Sequence, residues 1–308
     1  MKIINDNNYI KEYEHISNEL DKVLQTDFVN GIYCERYILE NAKANIVMVH
    51  GFTEYTKKYT EMIWYYRCMG FNVFIYDAKG HGFSPIKDID SSLIHIDSFE
   101  DYVIDLENII KNQVEAYTKD LPLYLFCHSM GGGVAALYMA KHPDKIKRAI
   151  MSSPMIVPKT RRISSEFVLF VTKCMENRHG PTARFPHSTS FDVTKQPDKS
   201  NPRKYIDIKK RIATAQYHAT GCTIRWMHEC LSVKNKILKN KRNAIIKTKV
   251  LILSAQNDTL VNNTYQKKFA KQLKNCRFVT IKNAKHNIFF SKYDILCKYY
   301  REIFEFLN

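Results

Sequence analysis

The 308-residue sequence predicts an α/β fold: a mostly parallel central sheet with helices on both faces and one inserted, mainly helical segment. Three observations carry that expectation. Short β-branched runs recur along the chain and end in Gly, Asn, Asp or Ser. Stretches of helical period separate them. One stretch, residues 157–236, breaks the alternation.

The strand-like runs come first. Ile46–Val49 precedes His50-Gly51, Val73–Tyr76 precedes Asp77, and Leu121–Cys127 precedes His128-Ser129. Ala149–Met151 precedes Ser152-Ser153-Pro154, Val250–Leu253 precedes Ser254 and Asp258, and Arg277–Ile281 precedes Lys282 and His286. Short apolar runs between turn signals read as parallel strands buried on both faces. Between them, Phe99, Tyr102, Val103, Leu106, Ile110 and Val114 keep helical spacing, with Ser98 and Asp101 resembling a capping box. Val134–Ala140 and Ile295–Leu307 read as further helices. Ile32–Cys34 and Tyr37–Leu39 are expected to add an antiparallel strand or hairpin at the sheet edge. Within residues 157–236, strand-like runs are scarce, and Ile206–Tyr217 and Thr223–Lys234 look helical. The expected organisation is a core from residues 1–156, an insertion at 157–236, and a second core part at 237–308.

Composition is that of an ordinary globular chain, 45% hydrophobic and 25% charged. Eight cysteines form no C-x-x-C pair and stand at no zinc-ligand spacing, so idle thiols in a reducing compartment are expected. The first 20 residues carry no apolar run of signal-peptide type, and no stretch reaches the roughly 18 apolar residues of a membrane span. A cytoplasmic location is therefore expected, with peripheral membrane contact left open. The net charge of +16 is unevenly spread: residues 157–249 hold 21 Lys/Arg against 6 Asp/Glu. Such a patch suits anionic lipid or nucleic acid. No helix-turn-helix, zinc-finger or RNA-binding signature supports the latter, and no nucleic-acid partner is expected.

The chemistry concentrates on Ser129. The strand Leu123-Tyr124-Leu125-Phe126 leads through Cys127-His128-Ser129-Met130-Gly131 into the helix start Gly132-Gly133-Val134. A serine on such a strand-to-helix turn has a strained backbone and an exposed hydroxyl, and its neighbours two positions away must be small. Gly131 meets the G-x-S-x-G pattern; Cys127 replaces its first glycine but is also small. A place in the buried strand end argues against Cys127 itself as nucleophile.

A serine hydroxyl needs a base. His286, after the last strand, fits that role, and Asp258, after the strand before it, would orient the imidazole. A single Asp or His is most often a solvated loop residue; the order Ser, Asp, His at three strand ends is the informative part. The N–H groups of Met130 and Phe52 are the expected oxyanion donors. His50 and Gly51 are expected to shape their turn, and His128, which must diverge from Ser129 on the elbow, to be structural. Asp77-Ala78-Lys79-Gly80-His81-Gly82-Phe83-Ser84 lacks Walker spacing and is expected to shape a loop near the site.

His50-Gly51, Asp77 to Ser84, His128 to Gly132, Asp258 and His286 together resemble, in order, the monoglyceride lipase and lysophospholipase branch of the α/β-hydrolases. Within it the chain looks most like bacterial lysophospholipases similar to the inner-membrane-associated enzyme. The features are the elbow with a small non-glycine start, Gly180 to Arg184, Gly221 to Trp226, and the run from His286 into Ile288-Phe289-Phe290 and Asp294.

The resemblance implies an α/β-hydrolase fold in which residues 157–236 cap Ser129. It implies a lipid-like carboxylic ester as substrate, a lysophospholipid or a monoacylglycerol, with no cofactor and no metal. Arg161, Arg162, Arg184 and Arg225 of the basic insertion are then expected to meet a headgroup phosphate, or the cap to dock on anionic membrane. An esterase or amidase for small soluble substrates, and a non-catalytic ligand-binding hydrolase scaffold, are the alternatives. The oligomeric state stays open.

Overall fold

The computed structural model describes residues 2–118, 120–160, 163–186, 188–194 and 196–308. Its strands are β1 (Leu24–Val29), β2 (Ile32–Tyr37), β3 (Ala44–Val49), β4 (Phe71–Tyr76), β5 (Leu93–Ile94), β6 (Leu123–His128), β7 (Arg148–Ser152), β8 (Gly221–Cys222), β9 (Lys249–Ala255) and β10 (Cys276–Ile281). Its α-helices are α1 (Tyr9–Asp21), α2 (Thr60–Cys68), α3 (Glu100–Ile109), α4 (Glu115–Thr118), α5 (Met130–Lys141), α6 (Ser165–His179), α7 (Pro202–Ala213), α8 (Ile224–Leu238), α9 (Asn263–Ala270) and α10 (Tyr293–Leu307).

Eight strands form one sheet in the order β1-β2-β4-β3-β6-β7-β9-β10. From β4 to β10 every pairing is parallel; β1 and β2 pair antiparallel with each other, and β2 antiparallel with β4. Side chains alternate between two apolar layers, as period-2 geometry requires. Val47, Val49, Phe74, Leu125 and Ile252 face α3, α5 and α8, whereas Ile46, Met48, Val73, Ile75 and Leu253 face α2 and α10. Both faces are thus covered, which is why β3 and β4 are buried at every residue.

The six strand-like runs of the sequence are β3, β4, β6, β7, β9 and β10. β6 starts at Leu123, not Leu121, because Pro122 has no N–H to give; its carbonyl accepts from Asn45 instead. The edge hairpin is present with a different partner. Tyr37 ends a single strand β2, and Leu24–Val29 is its mate, joined by Asn30-Gly31 with φ of +51° and +81°. That dipeptide is a two-residue hairpin turn. The helix expected through Val114 ends as α3 at Ile109 and continues through one π-turn, Ile110–Val114, into α4. At its start the Ser98 hydroxyl accepts from Glu100 N–H, while Asp101 accepts from Ser98 N–H.

Between β7 and β9 the chain forms α6, α7, β8 and α8, and β8 pairs with β5. The boundary expected at residue 236 falls inside α8, which runs to Leu238 because Val233 and Ile237 are part of the main apolar layer. α7 starts at Pro202, earlier than Ile206, with Asn201 accepting from Lys204 N–H. Arg203, 2% exposed, fixes this helix to the core. It donates to both carboxylate oxygens of Glu61 at 2.9 Å, to the Ile4 carbonyl at 2.8 Å, and to Asp6. Among the described residues, no helix is long and apolar enough to cross a membrane.

Candidate active site

Ser129 sits between β6 and α5 with φ +50° and ψ −115°, a region that side chains avoid. Three backbone bonds hold it there: Ser129 N–H to the Ser152 carbonyl, and its own carbonyl to the N–H groups of Gly132 and Met155. The turn is tight. A Cβ on Gly131 would lie 2.2 Å from the Val49 carbonyl oxygen, so the helix can leave the sheet only with glycine there. Cys127, two residues before the serine, is fully buried in the apolar layer, and that burial pushes its thiol pKa up.

His286 Nε2 is 2.9 Å from Ser129 Oγ, and His286 Nδ1 is 2.7 Å from Asp258 Oδ2. The other carboxylate oxygen of Asp258 accepts from Leu260 N–H at 2.8 Å and Val261 N–H at 3.0 Å. Ser153 Oγ donates to the His286 carbonyl at 2.9 Å and pins the loop after β10. Burial lowers the His286 pKa below the ordinary imidazole value, with the Asp258 hydrogen bond pulling the other way. Burial opposes the charge on Asp258, but His286 and the two N–H groups outweigh it and leave the carboxyl below its usual range.

The turn after β3 lies against the serine: a Cβ on Gly51 would meet Ser129 Cβ at 3.0 Å. His50 shapes that turn, its Nδ1 toward the Gly51 carbonyl and its Nε2 accepting from Ala78 N–H at 2.9 Å. Burial lowers its pKa to about 4. The Asp77–Ser84 loop is held by Asp77, which accepts from Thr56 N–H at 2.7 Å and Phe83 N–H at 2.9 Å.

Glu54 is a residue the sequence reading passed over. Buried beside Ser129, it accepts from Gly51 N–H (2.6 Å), Tyr59 Oη (2.5 Å) and Lys58 Nζ (2.7 Å), and faces His128 Nδ1 at 3.0 Å. Burial works against its charge, yet His128 and Lys58 hold its pKa well below normal. The only signal in the sequence was an acid three residues beyond Gly51. His128 is engaged here and not with Ser129.

A cavity of about 300 Å³ opens above Ser129 and His286, walled by Phe52, Met155, Trp226, Met227, Leu231 and Val261. α8 supplies part of that wall. Trp226 stacks on Phe52 at 4.0 Å and donates to Tyr102 Oη at 3.0 Å. The structure does not bring Arg184 or Arg225 to this cavity. Arg184 is held by Asp90 Oδ2 at 2.9 Å and Ser92 Oγ at 2.7 Å, and Arg225 by Glu176. Nearby carboxylates have taken both guanidinium groups. Arg161 and Arg162 lie outside the described residues.

The family model described as Hydrolase_4, serine aminopeptidase S33, matches residues 40–292. A probable lysophospholipase L2 of Haemophilus influenzae is 26% identical, with 85% of this chain and 83% of that one covered. Lysophospholipase L2 of Escherichia coli K12 is 25% identical, covering 80% of this chain and 75% of its own. Among solved structures, a soluble variant of monoglyceride lipase from Saccharomyces cerevisiae, in complex with a substrate analogue, superposes with a TM-score of 0.71. The two share 20% identity over 92% of this chain and 94% of that one.

Proposed function

The chain belongs to the Hydrolase_4 (serine aminopeptidase S33) family, in the lysophospholipase and monoglyceride lipase branch of the α/β-hydrolases, and we propose that it cleaves single-chain lipid esters through an acyl-Ser129 intermediate. One observation carries the assignment of roles. Ser129, His286 and Asp258 form an unbroken hydrogen-bonded chain at the floor of an apolar cavity.

In this mechanism His286 Nε2 takes the Ser129 proton as Oγ attacks the ester carbonyl. The N–H groups of Phe52 and Met130 receive the oxyanion, and Asp258 steadies the imidazolium. Collapse of the tetrahedral adduct breaks the bond to the alcohol, which leaves with the proton from His286. Water, deprotonated in turn by His286, releases the fatty acid and restores Ser129. The acyl chain lies along Met155, Trp226, Leu231 and Val261, and residues 157–236 act as the cap that excludes water.

A fluorophosphonate probe should label the protein, and Ser129→Ala should abolish the label. A wild type that stays unlabelled would instead make the chain a non-catalytic binding scaffold. In a panel of lysophospholipids, monoacylglycerols and short p-nitrophenyl esters, long-chain substrates should give the higher kcat/KM; a preference for the short esters would favour a small-ester or amide hydrolase.

The cap is also proposed to touch anionic membrane. Phe167 and Phe170 on α6 are 58% and 65% exposed, in the segment that carries the basic excess. Co-sedimentation with anionic vesicles should exceed that with neutral ones, and equal binding to both would overturn this contact.

A further inference from the structure

Arg184 and Arg225, two of the arginines expected at a headgroup, are held elsewhere, yet a different basic cavity adjoins the proposed nucleophile. About 400 Å³ in volume, it shares His286, Asn287 and Leu260 with the acyl cavity, so the two meet at the imidazole. Lys204, Lys285 and Lys292 line it, and its lining contains no Asp or Glu. The lysines come from three places: the first turn of α7, the loop after β10, and the residue that precedes α10. Asn201 ties these pieces together, accepting from Lys204 N–H at 3.0 Å and donating to the Phe290 carbonyl at 2.8 Å.

We propose that this second cavity seats the phosphate of a single-chain phospholipid while its ester carbonyl lies at Ser129. The inference rests on the ester-hydrolase reading above and makes it more specific. The three lysines are exposed side chains on the wall of one cavity, and an anion entering it would meet positive charge with no carboxylate in the lining to oppose it. Several cations of residues 157–249, by contrast, are paired with protein carboxylates: Arg203 with Glu61 and Asp6, Arg184 with Asp90, Lys234 with Glu166, Lys247 with Asp144. In a lysophospholipid, only the glycerol carbons separate the ester from the phosphate. A reacting carbonyl at Ser129 therefore leaves the phosphate next door, which is the relation the two cavities have across His286. A monoacylglycerol has nothing to place there.

Binding of glycerol 3-phosphate, which has no acyl ester to cleave, tests the seat without relying on turnover. Calorimetry should detect binding to the wild type and a loss of about tenfold or more in the combined variant K204Q/K285Q/K292Q, since charge-assisted phosphate contacts are among the stronger ones. Equal affinity in both proteins, or none in the wild type, overturns the proposal. So does inorganic phosphate binding as tightly as glycerol 3-phosphate, which marks a free-ion site.

In turnover, the variant should raise KM about tenfold for lysophosphatidate and leave monoacylglycerol of the same acyl chain unchanged; equal changes for both substrates count against it. A wild type that binds glycerol 3-phosphate but hydrolyses neither lipid would refute the hydrolase reading and keep the phosphate seat.

Discussion

Glu54 gathers the Gly51 amide, the Tyr59 hydroxyl, the Lys58 ammonium and the His128 ring onto one buried carboxylate. Its bond to Gly51 fixes the turn proposed to receive the oxyanion, and its charge stands near His286. Glu54→Gln keeps the shape but removes the charge. It should lower kcat roughly 10- to 100-fold with little change in KM, on the scale of disturbing an oxyanion donor. A variant with wild-type kcat would sink this role.

The His286 pKa gives a second expectation. Burial disfavours the imidazolium, so the neutral base persists to lower pH than in a free imidazole. Activity should fall only as His286 takes up a proton, with the acid-limb midpoint of kcat/KM below the ordinary value of about 6.5. Glu54→Gln removes a charge that favours the imidazolium and should move that midpoint lower still. A wild-type midpoint above 7 contradicts the burial argument.

At the scale of elements, most strands legible in the sequence are buried on both faces, where apolar content runs on without alternation. β3, β4, β6, β7 and β9 are of this kind; β10, buried only at Ile281, is legible instead from its β-branched run Val279-Thr280-Ile281. The proposed site stands at the ends of β3, β6, β9 and β10. β1 was missed because Leu24–Val29 is exposed along most of its length, so its residues record no core. α6 was missed for a related reason: Phe167 and Phe170 point outward, and only Thr172 and Glu176 are buried, so no apolar stripe marks the helix. The positions of Ser129, Asp258 and His286 could be read because strand ends and chain order constrain them. Glu54 and the fates of Arg184 and Arg225 could not, since ion pairing depends on which distant acids arrive alongside. The elbow was legible despite Cys127, and its geometry explains why: the strand end requires a small buried side chain. Cys127→Gly should therefore retain turnover while losing about 1–2 kcal/mol of stability through lost packing and added backbone freedom. A folded but inactive Cys127→Gly would show that the thiol does more than fill space.

At the scale of the molecule, Arg203 joins three parts of the chain that are far apart in sequence: Ile4 and Asp6, Glu61 on α2, and its own helix α7. Its ring neighbour Tyr9, 4.3 Å from the guanidinium carbon, adds α1 to that junction. Arg203→Ala would leave Glu61 buried without its partner, at a cost of about 3–5 kcal/mol, the range for breaking one side of a buried pair. Urea unfolding should show this as a lower midpoint; a shift under 1 kcal/mol would mean that water reaches the junction.

The same junction bears on how the protein can be shortened. The family model's match begins at residue 40, which invites removal of everything before it as dispensable. A chain trimmed there would lose β1, β2 and α1, and with them the Asp6 carboxylate and Ile4 carbonyl that hold Arg203. It would also lose Tyr37 and Glu35 from beneath the sheet edge. The stretch matched by the family model is thus smaller than the unit that folds, and expression boundaries drawn from that match alone would cut through the support of the segment proposed to cover Ser129.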